Sequence, residues 1–182
     1  MNLCIRVAFA NEVSIIKHKA QRVAVLMDVQ NLYHSAKNLY NARVNFKEVL
    51  KVAVAGRELL WALAYVIRTE SGEEKTFIEA LEKIGIQPQI KDLQIFPGGV
   101  KKADWDVGIA IDAVRLARKT DALVLVSGDG DFVPLLEYLS QVEGVQTEVI
   151  AFGRSTSQKL KETADDFVDL SLEPRKYLLK IR

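Results

Sequence analysis

The chain has 182 residues and sets 25 Lys plus Arg against 24 Asp plus Glu, so its net charge of +1 excludes a global cationic field as the basis of nucleic-acid binding. One cysteine, Cys4, excludes an intrachain disulfide and fits a reducing compartment. With no apolar run near the ~20 residues that span a bilayer and no leader-like amino terminus, the expectation is one domain with one core, in the cytoplasm and off the membrane.

In chain order, residues 1–21 read as an appendage. Leu3, Ile5, Val7 and Phe9 alternate as a strand would, but Asn11-Glu12 and the basic Lys17-His18-Lys19 break the pattern, and His18 reads as solvated. A domain is expected over 22–170, followed by a basic, mildly amphipathic tail over 171–182. Residues 22–28 are the first strand, apolar after Arg22 and ending in Asp28. Asn31 then opens a helix whose Leu32, Ala36, Leu39 and Tyr40 share one face, which makes Asn31 an N-cap candidate. Residues 46–55 predict a short helix closed by Gly56, 59–68 a second strand, and 73–84 a helix stopped by Gly85. Pro88 confines the strand over 86–95 to a sheet edge. Residues 96–102 read as a basic, glycine-containing loop.

The helix predicted over 105–119 puts Asp106 in register with Ile109, Ala110, Ala113 and Ala117, so an acid heads its buried stripe. On another face Asp112 and Arg115 have ion-pair spacing, and Asp104 fits an N-cap. Residues 122–126 are an unbroken apolar strand. It runs into Ser127-Gly128-Asp129-Gly130-Asp131, a sharp polar turn that leaves two carboxylates and a hydroxyl at the strand's carboxyl end. A helix over 132–140 with Pro134 in its first turn, a strand over 146–152, a helix from a Ser155 cap through Lys161, and a short strand over 167–170 complete the chain.

Alternating strands and helices predict an α/β fold with a mostly parallel sheet covered on both faces. In such a fold the carboxyl ends of strands and the amino ends of the following helices share one rim, where ligands bind. Asp28, Asp106 and Asp129 are thereby delivered together, with Asn31, Ser127 and Asp131 beside them. Crowded carboxylates raise one another's pKa and need a counter-cation. An all-oxygen set without Cys or His at ligand spacing suits Mg²⁺ or Mn²⁺ rather than zinc, and such ions serve phosphate-ester hydrolysis. Asp131 reads equally as ligand or cap. Asp112 reads as structural, Asp165-Asp166 as a turn, and His34 as an ordinary helix residue. Lys101, Lys102 and Arg154, with Lys159 and Lys161, supply local positive charge for a phosphodiester backbone.

Three segments resemble the signatures of the NYN domain, LabA-like branch, within the PIN-like nuclease superfamily: Val25-Leu26-Met27-Asp28-Val29-Gln30-Asn31, then Lys102 to Ala113 around Asp104-Trp105-Asp106, then Val126-Ser127-Gly128-Asp129-Gly130-Asp131-Phe132-Val133-Pro134-Leu135. Ser157, Leu160, Ala164-Asp165 and Phe167 add a weaker match. The resemblance implies a PIN-like three-layer α/β/α fold with strand order 3-2-1-4-5 and Mg²⁺- or Mn²⁺-dependent ribonuclease activity on RNA. It also implies an acidic site of Asp28, Asp106, Asp129 and Asp131, with Asn31 and Ser127 as polar companions. Val29-Gln30 and Ala103-Asp104-Trp105 depart from the family's usual glycine-containing loops, which bears on substrate fit. A catalytically weak RNA-binding or protein-interaction module of the same fold is the competing reading. A haloacid-dehalogenase-like phosphatase is disfavoured, because Gln30 stands where its second acid belongs. Oligomeric state, homodimer included, is left open.

Overall fold

A computed structural model describes residue 15 and residues 17–69, 74–95 and 101–180. Cys4, the alternating stretch before residue 15 and the loop at 96–100 lie outside the described residues. So do the side chains of Lys101 and Lys102. Among the described residues no helix is long and apolar enough to cross a membrane.

Six strands form one parallel sheet: β1 (Arg22–Asp28), β3 (Glu58–Arg68), β4 (Gln87–Asp92), β7 (Ala122–Val126), β8 (Gln146–Ala151) and β9 (Asp166–Asp169), in the spatial order β4-β3-β1-β7-β8-β9. The first five strands of this sheet therefore stand in the expected order 3-2-1-4-5. The difference is a sixth strand, β9, added at the far edge. Pro88 lies in β4, at the opposite edge, the position a proline tolerates in a sheet.

The central strands are apolar on both sides because both sides are covered. Val23, Val25 and Met27 of β1 and Ala122, Val124 and Val126 of β7 face one core, shared with α1 (Val29–Tyr40), α2 (Phe46–Val54) and α3 (Lys75–Lys83). Ala24 and Leu26, with Leu123 and Leu125, face a second core under α4 (Asp106–Ala117), α5 (Val133–Gln141) and α6 (Gln158–Thr163). The two layers and the sheet make the three-layer α/β/α sandwich. Met27 pairs with Val126, so β1 and β7 end level with each other at the point where the strand order reverses.

Several local expectations are corrected. Ser157, not Ser155, caps α6: its hydroxyl oxygen accepts the Leu160 N–H, whereas Ser155 belongs to a 3-10 turn, Gly153–Ser155. Residues 101–102, read as loop, form β6 (Lys101–Lys102), antiparallel to β5 (Gln94–Ile95). In the tail, α7 (Pro174–Tyr177) buries Tyr177 and leads into β10 (Leu178–Lys180), which pairs with β2 (Ala42–Val44). Lys17, in the basic run before β1, is ion-paired. Its Nζ lies 2.7 Å from Glu148 and 2.9 Å from Asp166.

Candidate metal centre

The site grows from the ends of β1 and β7. Asp28 closes β1 in extended backbone and caps α1, its Oδ1 accepting the Asn31 N–H at 3.0 Å. Its Oδ2 accepts the Ser127 hydroxyl at 3.1 Å. Asn31 is thus the capped residue and not the cap, and its Oδ1 accepts the Gly128 N–H at 2.9 Å. One side chain from each loop clasps the other, which fixes the rim where the strands end.

Beyond Ser127 the turn is held tight from outside. A Cβ on Gly128 would lie 2.9 Å from Thr156 Oγ1, and one on Gly130 2.9 Å from Ser157 Oγ, so only glycine lets the loop seat against residues 156–157. Asp129 takes extended backbone and its Oδ1 accepts the Asp131 N–H at 3.0 Å, capping the short 3-10 turn Gly130–Phe132. Asp131 is therefore not a cap; its exposed side chain makes no hydrogen bond among the described residues. From the other side of β1, Asp106 opens α4. The preceding Asp104 makes no cap bond, and the N-cap position is held by Trp105. The Trp105 indole folds over Gly108, where a Cβ would come within 2.5 Å of the ring, and donates Nε1–H to the Val66 carbonyl at 3.1 Å.

Asp106, Asp129 and Asp131 each offer one carboxylate oxygen, all within 4.8 Å of one another. The tight group is this triple, with Asp28 adjoining it in the same cleft. That cleft, of ≈ 370 Å³, is lined by Asp28, Asp104, Asp106 and Asp129, by Gln30, Asn31, His34, Ser35, Asn38 and Ser155, and by Leu39 and Trp105. No lysine or arginine is among these residues. Burial raises the Asp106 carboxyl above its ordinary value, and the charges of Asp28, Asp129, Asp104 and Asp131 raise it further. Burial also raises Asp28, opposed by its bonds from Asn31 and Ser127 and reinforced by the charge of Asp129. Unneutralised acids in this arrangement repel one another. The donor set consists only of hard oxygens, one of them on a side chain free to turn inward, and it fits a divalent cation.

Of the residues expected at the site, Asp28, Asn31, Asp106 and Asp129 line the cleft, and Asp131 joins the acidic triple. Ser127, expected beside the substrate, is fully buried behind Asp28, and its oxygen accepts the Asp129 N–H at 3.3 Å. Its hydroxyl thereby ties Asp28 to the Asp129 loop. Arg154 is exposed on the turn next to Ser155, outside the cleft lining. Lys161 is held at 2.6 Å from the Gly153 carbonyl and over the Phe167 ring. Asp112 accepts the Tyr65 hydroxyl at 3.0 Å and lies 3.5 Å from Arg115, the structural role expected of it. Gln30, Asn38 and Trp105 were not foreseen. Their signal is the spacing of Gln30, His34 and Asn38 at i, i+4 and i+8, one exposed face of α1 turned toward the cleft.

Comparison with known proteins gives a consistent result. Residues 22–172 match the family model described as the NYN domain. The "Low amplitude and bright protein LabA" of Synechococcus elongatus is 23% identical over 168 residues, covering 84% of this chain and 86% of that protein. The crystal structure of VPA0982, a protein of unknown function from Vibrio parahaemolyticus, superposes with a TM-score of 0.81 at 33% identity, covering 91% of this chain and all of that one.

Proposed function

This chain belongs to the NYN domain family, and from that premise we propose that it is a Mg²⁺- or Mn²⁺-dependent ribonuclease that hydrolyses RNA phosphodiesters in the cytoplasm. The family's nuclease-type fold and the acidic cluster support the reading at a coarse level. The observation that carries it is the meeting of Asp106, Asp129 and Asp131 within 4.8 Å, beside a cleft with no lysine or arginine among its described lining residues. Three aspartates from two separate segments make this meeting, with Asp28 from a third beside them, and the crowding taxes the fold electrostatically unless a ligand uses it.

Asp106, Asp129 and Asp131 would hold the ion, with Asp28 reaching it directly or through water. A bound divalent cation supplies charge neutralisation at the scissile phosphate and a more acidic water. Asp28 is held by the Ser127 hydroxyl and the Asn31 N–H, which would fix its carboxylate toward the ion or its water. Gln30, His34 and Asn38 present donors and acceptors along one wall. Trp105 and Leu39 give apolar surface against which an unpaired base can rest. Arg154, which makes no ion pair among the described residues, together with Lys101 and Lys102 a few positions before Asp106, would hold flanking phosphates.

The test is hydrolysis of single-stranded and structured RNA with Mn²⁺ or Mg²⁺ by the wild type and by Asp129→Asn. Cation-dependent cleavage that falls by about 10²-fold or more in the variant supports the reading. RNA binding with equal background cleavage by both proteins overturns it and marks an RNA-binding module.

A further inference from the structure

The outer face of α4 carries an apolar stripe that no described residue covers. Val107, Ile111 and Val114, spaced by four and three, are 69%, 47% and 36% exposed, and Arg118 continues the line one turn on. The stripe does not end with the helix. Glu143 accepts Arg118 Nε–H at 3.2 Å and the Tyr138 hydroxyl at 2.9 Å, which ties the carboxyl end of α4 to exposed Tyr138, with Val142 one turn further along and 66% exposed. A β-branched row of this kind on a solvated helix face costs solubility without adding to the core.

Charge along the same helix says what covers it. Asp104 stands at the amino end of this face, and Arg115 and Arg118 at its carboxyl end. A face that is acidic at one end, basic at the other and apolar between is complementary to itself when turned end for end, and antiparallel helix dipoles add to the fit. We propose that α4 is the centre of a two-fold homodimer in which the helices of two copies pack antiparallel about Ile111. An axis at Ile111 sets Ile111 against its own copy and Val107 beside position 115. It sets Asp104 beside position 118, and brings the protruding Val107 end toward Tyr138 and Val142 of the second copy.

This interface stands independently of the ribonuclease reading, but one consequence rests on that reading. Arg115 is 74% exposed, and its contact with Asp112 is a long 3.5 Å. In the dimer it comes alongside Val107 of the other copy, next to Asp106 and a cleft with no lysine or arginine among its described lining residues. Each copy would then lend a guanidinium to the other's phosphate path.

The experiment uses the full chain. Sedimentation velocity over the micromolar range reads the oligomeric state of the wild type and of Ile111→Asp. In a Cys4→Ser background, Ile111→Cys is compared with Lys83→Cys, which lies on the opposite layer, for cross-linking by oxidation or a short bis-maleimide. The expected result is a wild-type dimer, at least about tenfold weaker association for Ile111→Asp, and covalent dimer from Cys at 111 but not from Cys at 83. A monomeric wild type, or a dimer that Ile111→Asp leaves intact, overturns the proposal. So does cross-linking at 111 no faster than at 83, which decides the matter even if the aspartate variant fails to fold. Where RNA is cleaved, Arg115→Ala should raise KM more than it lowers kcat; an unchanged KM in a protein that still dimerises removes the shared arginine and leaves the interface.

Discussion

Asp129 serves two purposes with one carboxylate. Its Oδ1 caps the turn at Asp131, and its side chain also belongs to the acidic triple, so the residue that shapes the loop also furnishes charge. The four acids were legible in the sequence for a simpler reason. Each ends a strand, begins a helix or follows a glycine, and topology alone delivers it to the rim. Ser127 follows a strand as an available hydroxyl would, and side-chain direction turns it under Asp28. Ser127→Ala should therefore act on stability first: a buried carboxylate loses a donor, at a cost of about 1–3 kcal/mol read from urea unfolding. Asp106 should do the opposite. Its folded pKa lies above the ordinary carboxylate value, so the protonated form is favoured by folding and that stability is lost as pH rises through the raised value. At neutral pH with chelator, Asp106→Asn should melt higher than the wild type, on the scale of about 2–4 °C per kcal/mol relieved. It should also lose the rise in Tm that Mn²⁺ gives the wild type. A lower Tm in chelator would contradict the repulsion described.

At the scale of elements, the buried strands were the most readable part of the chain. β1 and β7 have no polar break because both faces are covered, and Pro88 placed β4 at an edge. What could not be read were pairings made at long range by very short pieces. β2 and β10 are three residues each and meet across most of the chain, with too little periodicity to announce either. The cap of α6 slipped by two residues for a related reason: Ser155 and Ser157 are equivalent by type, and only the 3-10 turn ending at Ser155 separates them. Asp106 owes its place to the start of α4, which depends on Trp105 lying flat over Gly108 and reaching Val66. Gly108→Ala puts a methyl group into the indole. It should cost about 1–3 kcal/mol, shift Trp fluorescence as the ring leaves its site, and weaken divalent-ion binding by moving Asp106. Unaltered fluorescence and ion affinity would show that Trp105 does not position the acid.

Over the whole molecule, a net charge of +1 conceals segregation. Acids gather at the carboxyl rim, while a second charged group is buried within the fold. Arg57 and Glu148 are both fully enclosed and hydrogen-bonded to each other, with Lys17 and Gln146 adding bonds to Glu148 and the Ala53 and Val54 carbonyls accepting from Arg57. Partners 91 positions apart leave no local pattern, so no periodicity could reveal this pair. Burial raises Glu148, but its bonds from Arg57 and Lys17 outweigh that and hold it below its ordinary value. A depressed carboxylate gives stability that is present above its unfolded pKa and lost as pH falls through the folded one. Urea midpoints should accordingly fall in acid, and Glu148→Gln should flatten that fall while costing about 3–5 kcal/mol at neutral pH, because Arg57 is left buried without its counter-charge. An acid limb that keeps its slope in Glu148→Gln would assign acid lability to other groups. The two charged groups thus respond to pH in opposite senses, Asp106 and Asp28 at the rim gaining from protonation and the buried pair losing by it.

The central claim is that Asp106, Asp129 and Asp131, with Asp28 beside them, form a seat for one or more divalent ions. Crystals grown with Mn²⁺ and measured at the manganese absorption edge address it directly. The account predicts an anomalous peak among those carboxylates that disappears in Asp129→Asn crystals. Well-ordered crystals with saturating Mn²⁺ and no anomalous density in the cleft would contradict it.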